Sequence, residues 1–299
     1  VRHHYRLRLW FDVGGEPVQN LRDGEGGVKI RRAVVFPGQG TSGGEVSGEV
    51  REAVRAHVGD GEPPYQLSVF ASSVDLLYKL RERGVEPDVV AGHSLGEYAA
   101  AHASGSLGLE DAVGLVAERD RLMNEAARAN VGGMVAVIGA DPTEVARIAE
   151  EADGVVVAAN FNTPWQTVIS GETSALEVVS ENVGGRTIRL GVAGAFHSPL
   201  MLEASRAMDA VLSGVALRDP VIPMISATDG RVLATADNVR LAIRNQMLSP
   251  VRWVAVIGRL LDLGVEEIIE AGEDGTLTRM LRDFRRKDIK GRTAREVLQ

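Results

Sequence analysis

The sequence predicts an α/β protein: a large α/β-hydrolase-like unit with a parallel sheet and a nucleophile elbow, plus a small inserted ferredoxin-like α+β subdomain. Three observations carry this expectation. Strand-type and helix-type runs alternate along residues 32–130 and again along 194–299, the pattern of a parallel sheet with crossover helices. Gly92-His93-Ser94-Leu95-Gly96 falls between one such strand and one such helix. Residues 131–193 read instead as β-α-β-β-α-β.

Each element follows from local pattern. Residues 1–31 form an arm: Tyr5 to Phe11 alternates like an exposed strand, and Gly14 to Gly27 resembles a linker. Ala33–Phe36 is a short buried strand that runs into Pro37-Gly38-Gln39-Gly40. The stretch 41–64 is polar, with a helix near Val50–His57, and Gln66–Arg83 is helical. Pro87–Ala91 is the strand before the elbow, Glu97–Ala103 the helix after it, and Leu109–Ala129 a longer helix. In the insertion, Met134–Ile138, Val155–Asn160, Thr167–Ser170 and Thr187–Val192 are strands. Its helices are Pro142–Ala152, started by Asp141 and Pro142, and Ser174–Val183. The larger unit resumes with a helix at Leu200–Leu212, a strand at Ile222–Ser226, helices at Asp237–Met247 and Val254–Leu263, and a strand at Glu267–Ala271. Between Arg279 and Arg295 eight basic residues face two acids, which reads as a solvated helix and tail.

Composition bounds the function. With 299 residues, 44% hydrophobic and 25% charged, the chain can bury a large core. The net charge of −8 argues against nucleic acid as a partner. There is no cysteine, which excludes disulfides, thiolate metal sites and a thiol nucleophile. No run approaches the roughly 20 apolar residues of a membrane span, and the first residues are charged rather than signal-like. The expectation is a cytoplasmic protein without a membrane partner.

Ser94, with glycines at both flanking second positions on a strand-to-helix turn, has the setting of an exposed, strained nucleophile. The helix N-terminus beneath it offers unpaired N–H groups to a developing oxyanion. Six histidines could supply a base. His3 and His4 are in the arm and His57 is in a polar helix. His102 is roughly 12 Å further along the elbow helix at 1.5 Å per residue, and His93 points elsewhere on the turn. His197, in the loop Gly194-Ala195-Phe196-His197-Ser198-Pro199, can be aimed back at Ser94. No carboxylate stands out as a third member, so a Ser94–His197 dyad is the simpler arrangement. Arg119 falls inside the apolar stripe of its helix, with Leu115, Val116, Leu122, Met123 and Ala126. A buried guanidinium needs an anionic partner: either a structural one, Glu97 or Glu118, or a substrate carboxylate held in two-point fashion.

Six segments occur in order: Phe36-Pro37-Gly38-Gln39-Gly40, Gly92-His93-Ser94-Leu95-Gly96-Glu97-Tyr98, Glu118-Arg119, Asn160-Phe161-Asn162-Thr163-Pro164, Gly194-Ala195-Phe196-His197-Ser198 and Ser249-Pro250-Val251-Arg252-Trp253. Together, from about Ala33 to Phe284, they resemble the malonyl-CoA:acyl carrier protein transacylases and the acyltransferase domains of polyketide synthases. The resemblance implies that Ser94 is acylated, His197 is the base and Arg119 holds the malonyl carboxylate. It implies an oxyanion hole from the backbone N–H groups of Gln39 and Leu95, and a Ser249 carbonyl that orients His197. Gln66 matches a pocket-lining glutamine, and Asn162 lies near the site. Phe196 before His197 resembles malonyl-selective members, and Leu95 agrees with that.

The resemblance further implies a CoA thioester as substrate, an acyl carrier protein as partner, no metal or other cofactor, and a place in fatty acid or polyketide biosynthesis. Arg279, Arg282, Arg285, Arg286 and Lys287 are the candidate carrier-docking surface. Two other activities fit the same fold: an editing acyl-thioester hydrolase and a carrier-to-carrier transferase of a non-malonyl group. Relatives of the first kind tend to lose the arginine. Two departures stand out. The interval from Gly40 to Gln66 is short for the family, and Gly272-Glu273-Asp274-Gly275 replaces its glycine-proline-glycine.

Overall fold

The strand β1 (Arg32–Phe36) alternates its side chains between two cores. Val34 and Phe36 enter one, Ala33 and Val35 the other. Its neighbour β2 (Val89–Gly92) does the same with Val90 against Val89 and Ala91. Strands buried on both faces need helices on both sides, which is why these runs carry no polar alternation. The computed structural model describes residues 30–299; the expected strand at Tyr5–Phe11 and the linker after it lie outside the described residues.

On one face pack α1 (Gly48–Val58), α2 (Tyr65–Glu82), the elbow helix α3 (Gly96–Ala103) and α4 (Leu109–Ala129). Helices α7 (Leu202–Ser213) and α8 (Ala236–Asn245) join the same core. The other face is covered by α9 (Trp253–Leu263) and α10 (Thr276–Leu281). The six-stranded sheet runs β10-β9-β1-β2-β7-β8, with β7 Met224–Ile225, β8 Val232–Leu233, β9 Glu267–Glu270 and β10 Lys290–Thr293. All its pairings are parallel except β7 with β8.

Strands β8 and β10 are departures from the sequence reading. Lys290–Thr293 is not a solvated tail but an edge strand paired in register with β9, followed by α11 (Ala294–Leu298), which Thr293 starts with a capping box. A charged four-residue strand at a sheet edge shows no apolar period, so the sequence hides it; charge at that position also discourages pairing with another chain.

The insertion forms a four-stranded antiparallel sheet in the order β4-β5-β3-β6. Its strands are β3 (Gly132–Ile138), β4 (Val156–Thr163), β5 (Gln166–Glu172) and β6 (Arg186–Arg189). Its helices are α5 (Pro142–Glu150) and α6 (Thr173–Asn182). This order with two helices on one face is the ferredoxin-like arrangement. Val135, Val137, Val156 and Ile169 meet Val145, Ala149 and Leu176 under the helices. The other face sends Met134, Ala136, Ala159 and Val168 into the large core. As expected, Asp141 caps α5: its carboxylate accepts from Thr143 N at 2.9 Å, and Pro142 occupies the first turn.

The elbow depends on two close approaches. A Cβ on Gly92 would stand 2.1 Å from the Gly96 carbonyl carbon, and one on Gly96 would stand 2.1 Å from the Phe36 carbonyl oxygen. Both neighbours are backbone and cannot rotate away. Gly96→Ala is therefore expected to cost about 1–3 kcal/mol, the range for overpacking, in a urea denaturation series. The same variant should lose reactivity at Ser94 because the turn must open.

Candidate active site

Ser94 sits at the end of β2, at the turn into α3, with φ +52°, and the exposed hydroxyl expected of the elbow is instead buried between His197 and Arg119. His93 N donates to Phe36 O at 2.9 Å and Glu97 N donates to Ser94 O at 2.9 Å, which close the turn. The left-handed backbone of a non-glycine residue is held by this surrounding structure, and positions of this kind concentrate at functional sites. His197 also has positive φ, +58°, in a loop braced by the Ser198 hydroxyl donating to Ala195 O at 2.6 Å. Two strained residues thus face each other.

The Ser94 hydroxyl and His197 Nε2 are 2.7 Å apart. His197 Nδ1 lies 2.9 Å from the Gln246 carbonyl oxygen and 3.1 Å from that of Ser249. Carbonyls only accept, so Nδ1 carries the hydrogen and Nε2 presents its lone pair to the serine. Burial, and then the charge of Arg119, lower the His197 pKa to about 4. The imidazole is accordingly neutral and ready to accept a proton at pH 7. The expected orienting carbonyl of Ser249 is in place; that of Gln246, which the sequence reading did not name, is nearer.

Arg119 is fully buried. Its Nη2 donates to Ser94 Oγ at 3.2 Å and to Gln246 Oε1 at 3.1 Å, and Nε donates to the same Gln246 oxygen at 3.3 Å. Nη1 donates to Gln66 Oε1, and the guanidinium lies 5.8 Å from the Tyr98 ring centroid. Among the described residues no carboxylate pairs with it directly. Glu118 bonds Arg121 instead, at 2.8 Å on the outer face of α4. Glu97 reaches Arg119 only through Gln246: Gln246 Nε2 donates to Glu97 Oε2 at 2.7 Å and to Ser94 O at 2.9 Å. Burial depresses the Arg119 pKa and raises that of Glu97 to about 6.

The remaining expected residues fall around this centre. Gln66 is held by its own N–H donating to Asp120 Oδ1 at 3.1 Å. Gly38, the residue before Gln39, packs against the elbow so closely that a Cβ would stand 2.7 Å from His93 O and 3.4 Å from Ser94 Cβ. Leu95 is the residue before the first turn of α3. Asn162 is one residue removed from the serine: its Oδ1 is 2.9 Å from His93 Nε2, and its amide donates to Gln166 Oε1 at 2.8 Å. Phe196 is buried in the large core next to His197 in sequence. His102 bonds Tyr78 and Leu107 and takes no part in the site.

Beside the loop after Gly40 the two sequence departures meet. Asp274 Oδ2 accepts from Ser42 N at 2.7 Å and Thr41 Oγ1 at 3.1 Å, and Glu273 accepts from Ser72 Oγ at 2.8 Å. Tyr65 bridges the same loop, accepting from Gly40 N at 2.9 Å and donating to Thr41 O at 2.9 Å. The short segment after Gly40 is thus tied down by the acids that replace glycine-proline-glycine. Of the basic C-terminal residues, Arg279 and Arg295 stay beside this loop through Asp274 and Glu273, and the others named lie elsewhere. Arg282, Arg285, Arg286 and Lys287 precede β10, whose first residue pairs with the first residue of β9. They stand toward the end of the parallel sheet opposite Ser94. Arg286 is paired with Asp288 at 2.8 Å, and Arg279 bonds the Asp274 carbonyl.

A serine nucleophile on an elbow, a neutral histidine oriented by carbonyls and a buried cation beside the serine define an acyl-transfer site. Residues 62–296 match the family model described as "Acyl transferase domain". The chain is 36% identical over 229 residues to the malonyl CoA-acyl carrier protein transacylase of Bacillus subtilis, covering 74% of this chain and 72% of that protein. It is 41% identical over 202 residues to the polyketide biosynthesis protein ThaF of Burkholderia thailandensis, covering 66% of this chain and 17% of that protein. The crystal structure of the malonyl-CoA:ACP transacylase of Synechocystis sp. PCC 6803 superimposes with a TM-score of 0.81 at 28% identity, over 88% of this chain and 97% of that one. The chain belongs to the acyl transferase family, among the malonyl-CoA:acyl carrier protein transacylases.

The histidine environment makes a direct test. In an NMR titration of ring-labelled protein from pH 8 downward, the His197 imidazole is expected to stay neutral through 6.5 and to titrate near pH 4. Because the folded pKa lies below the unfolded one, His197 costs stability as pH falls through 6.5 toward 4 and adds nothing above that window. A His197 signal with a midpoint near 6.5 would contradict the buried, Arg119-facing ring.

Proposed function

We propose that this chain moves a malonyl group from CoA to the phosphopantetheine thiol of an acyl carrier protein, through a malonyl ester of Ser94. The observation that carries the reading is a guanidinium, without a direct carboxylate partner among the described residues, 3.2 Å from the same Oγ that bonds His197. That is where the free carboxylate of a malonyl thioester would lie when its carbonyl meets the serine.

Ser94 Oγ attacks the thioester carbonyl as its proton passes to His197 Nε2. The carbonyls of Gln246 and Ser249 accept Nδ1–H and favour the imidazolium that forms. Backbone N–H groups of Gln39 and Leu95 take the oxyanion. Collapse breaks the C–S bond, and the CoA sulfur leaves with the proton from Nε2. The carrier thiol then gives its proton to Nε2 and attacks the ester, and Ser94 departs by taking the proton back.

Arg119 acts in two ways. It binds the malonyl carboxylate as a fork, and its positive charge, which depresses His197 in the free site, is offset once that carboxylate arrives. A neutral acetyl group offsets nothing, so discrimination reaches the base as well as binding. Retention of Arg119 separates this reading from thioester hydrolysis. The carrier's thiol must enter at the end of the sheet that holds Ser94. Arg282 to Lys287 would therefore contribute only a long-range field to its approach.

Ser94→Ala should form no covalent malonyl adduct by intact-mass analysis with malonyl-CoA, with an unchanged melting curve, and His197→Ala should slow acylation by about 10²–10⁴. Arg119→Ala should lower kcat/KM for malonyl-CoA by an amount equivalent to about 2–5 kcal/mol while acetyl-CoA is used as well or better. Arg119→Lys should restore part of the malonyl preference, since an ammonium lacks the planar fork. An unchanged malonyl-to-acetyl ratio in Arg119→Ala would overturn the carboxylate-binding role.

A further inference from the structure

The Gln246 amide is saturated. Its two N–H groups go to Ser94 O and Glu97 Oε2, and its oxygen accepts twice from Arg119. A flipped amide would set N–H against the guanidinium and oxygen against the carboxylate, so the orientation is fixed. Glu97 is itself held on its far side, where Oε1 accepts from Ala227 N at 3.0 Å. Both Glu97 and Gln246 are fully buried. The result is a buried chain of bonded groups: guanidinium, amide, carboxylate.

A buried cation needs an opposing charge. A carboxylate bonded directly to Arg119 would supply one, but it would occupy the fork that a substrate carboxylate must fill. With an amide between, the two fully buried charges still attract, beside the Asp120 carboxylate that holds Gln66 N, while one side of the guanidinium bonds the neutral oxygen of Gln66 and the serine hydroxyl.

We infer that Glu97 is a counter-charge of Arg119 that acts through the Gln246 amide, and that this one-amide spacing sets how strongly the pocket prefers a dicarboxylic acyl group. Glu97 is thus a positioning residue that never touches substrate. The inference rests on the proposed role of Arg119 as the carboxylate clamp. It explains why a fully buried glutamate stands in the first turn of the elbow helix: burial pushes its carboxyl up to about 6, still below neutral pH. It also makes Gln246 a single connector of His197, Ser94 and Arg119.

The test exchanges the two groups. The double variant Glu97→Gln with Gln246→Glu keeps the net charge but moves the carboxylate one position closer, directly onto Arg119. Acylation by malonyl-CoA and by acetyl-CoA is measured on the same preparation, so any loss of His197 geometry cancels in the ratio. The expected result is a fall of at least tenfold in the malonyl-to-acetyl kcat/KM ratio, expressed mainly in the malonyl KM. Glu97→Gln alone should act with the opposite sign: with its counter-charge gone, Arg119 draws the malonyl carboxylate harder, and malonyl KM falls relative to acetyl KM. A folded exchange variant with the parent ratio, or a single variant whose relative malonyl KM stays or rises, overturns the inference. If the exchange fails to fold, the single variant decides. The two levels separate cleanly, because a clamp failure appears in Arg119→Ala, whereas a shift there without one in the Glu97 variants removes this inference alone.

Discussion

A guanidinium kept dry beside a nucleophile is the constraint on which the rest of the site turns. Arg119 occupies a position in α4 that helical periodicity assigns to the core, and its neighbours on the stripe are apolar. Desolvating that charge is expensive, and the protein offsets the cost with neutral oxygens from Gln66 and Gln246 and with the face of Tyr98. Each of these partners comes from a different element: α2, the short turn after α8, and α3. The packing of the large unit around α4 is thereby tied to the placement of one cation.

The small sheet is not a bystander. Val251 N donates to Ala159 O at 2.8 Å and Phe161 N donates to Val251 O at 2.8 Å, so β4 is bonded to the segment that carries the Ser249 carbonyl. From the next residues of β4, Asn162 reaches His93, the residue before the nucleophile. The ferredoxin-like unit therefore holds both the turn that bears Ser94 and a carbonyl that orients His197. Insertion at that place in the chain joins two layers where the reacting groups must be fixed relative to each other, as preorganised catalysis requires.

Much of this was legible in the sequence, for identifiable reasons. The elbow announces itself because glycines at fixed spacing are demanded by backbone contact. His197 emerges because the other histidines are disqualified by position, and Arg119 because a charge interrupts an apolar stripe. Gln246 escaped, since an uncharged amide at a helix end breaks no pattern and its importance lies wholly in three-dimensional convergence. The sequence offered Glu97 and Glu118 as equivalent partners for Arg119; one turned out to be a surface residue bonded to Arg121, the other a partner at one remove. Strand β10 was hidden by its charges, and the grip of Asp274 on the loop after Gly40 could not be seen across more than 230 positions, |i−j| being 232 for its bond to Ser42 N.

Ser94 presents its hydroxyl to His197 and Arg119 on a backbone conformation that an L-residue with a side chain adopts at a cost of order 1–3 kcal/mol. Glycine would occupy the same turn without that cost. The position where selection on chemistry acts most strongly is thus also one where selection on folding pulls the other way. In a descendant freed from transferring acyl groups, the nucleophile would be a favoured place for drift toward a more stable, inert chain, and a glycine there would read as a record of lost activity rather than of a different fold.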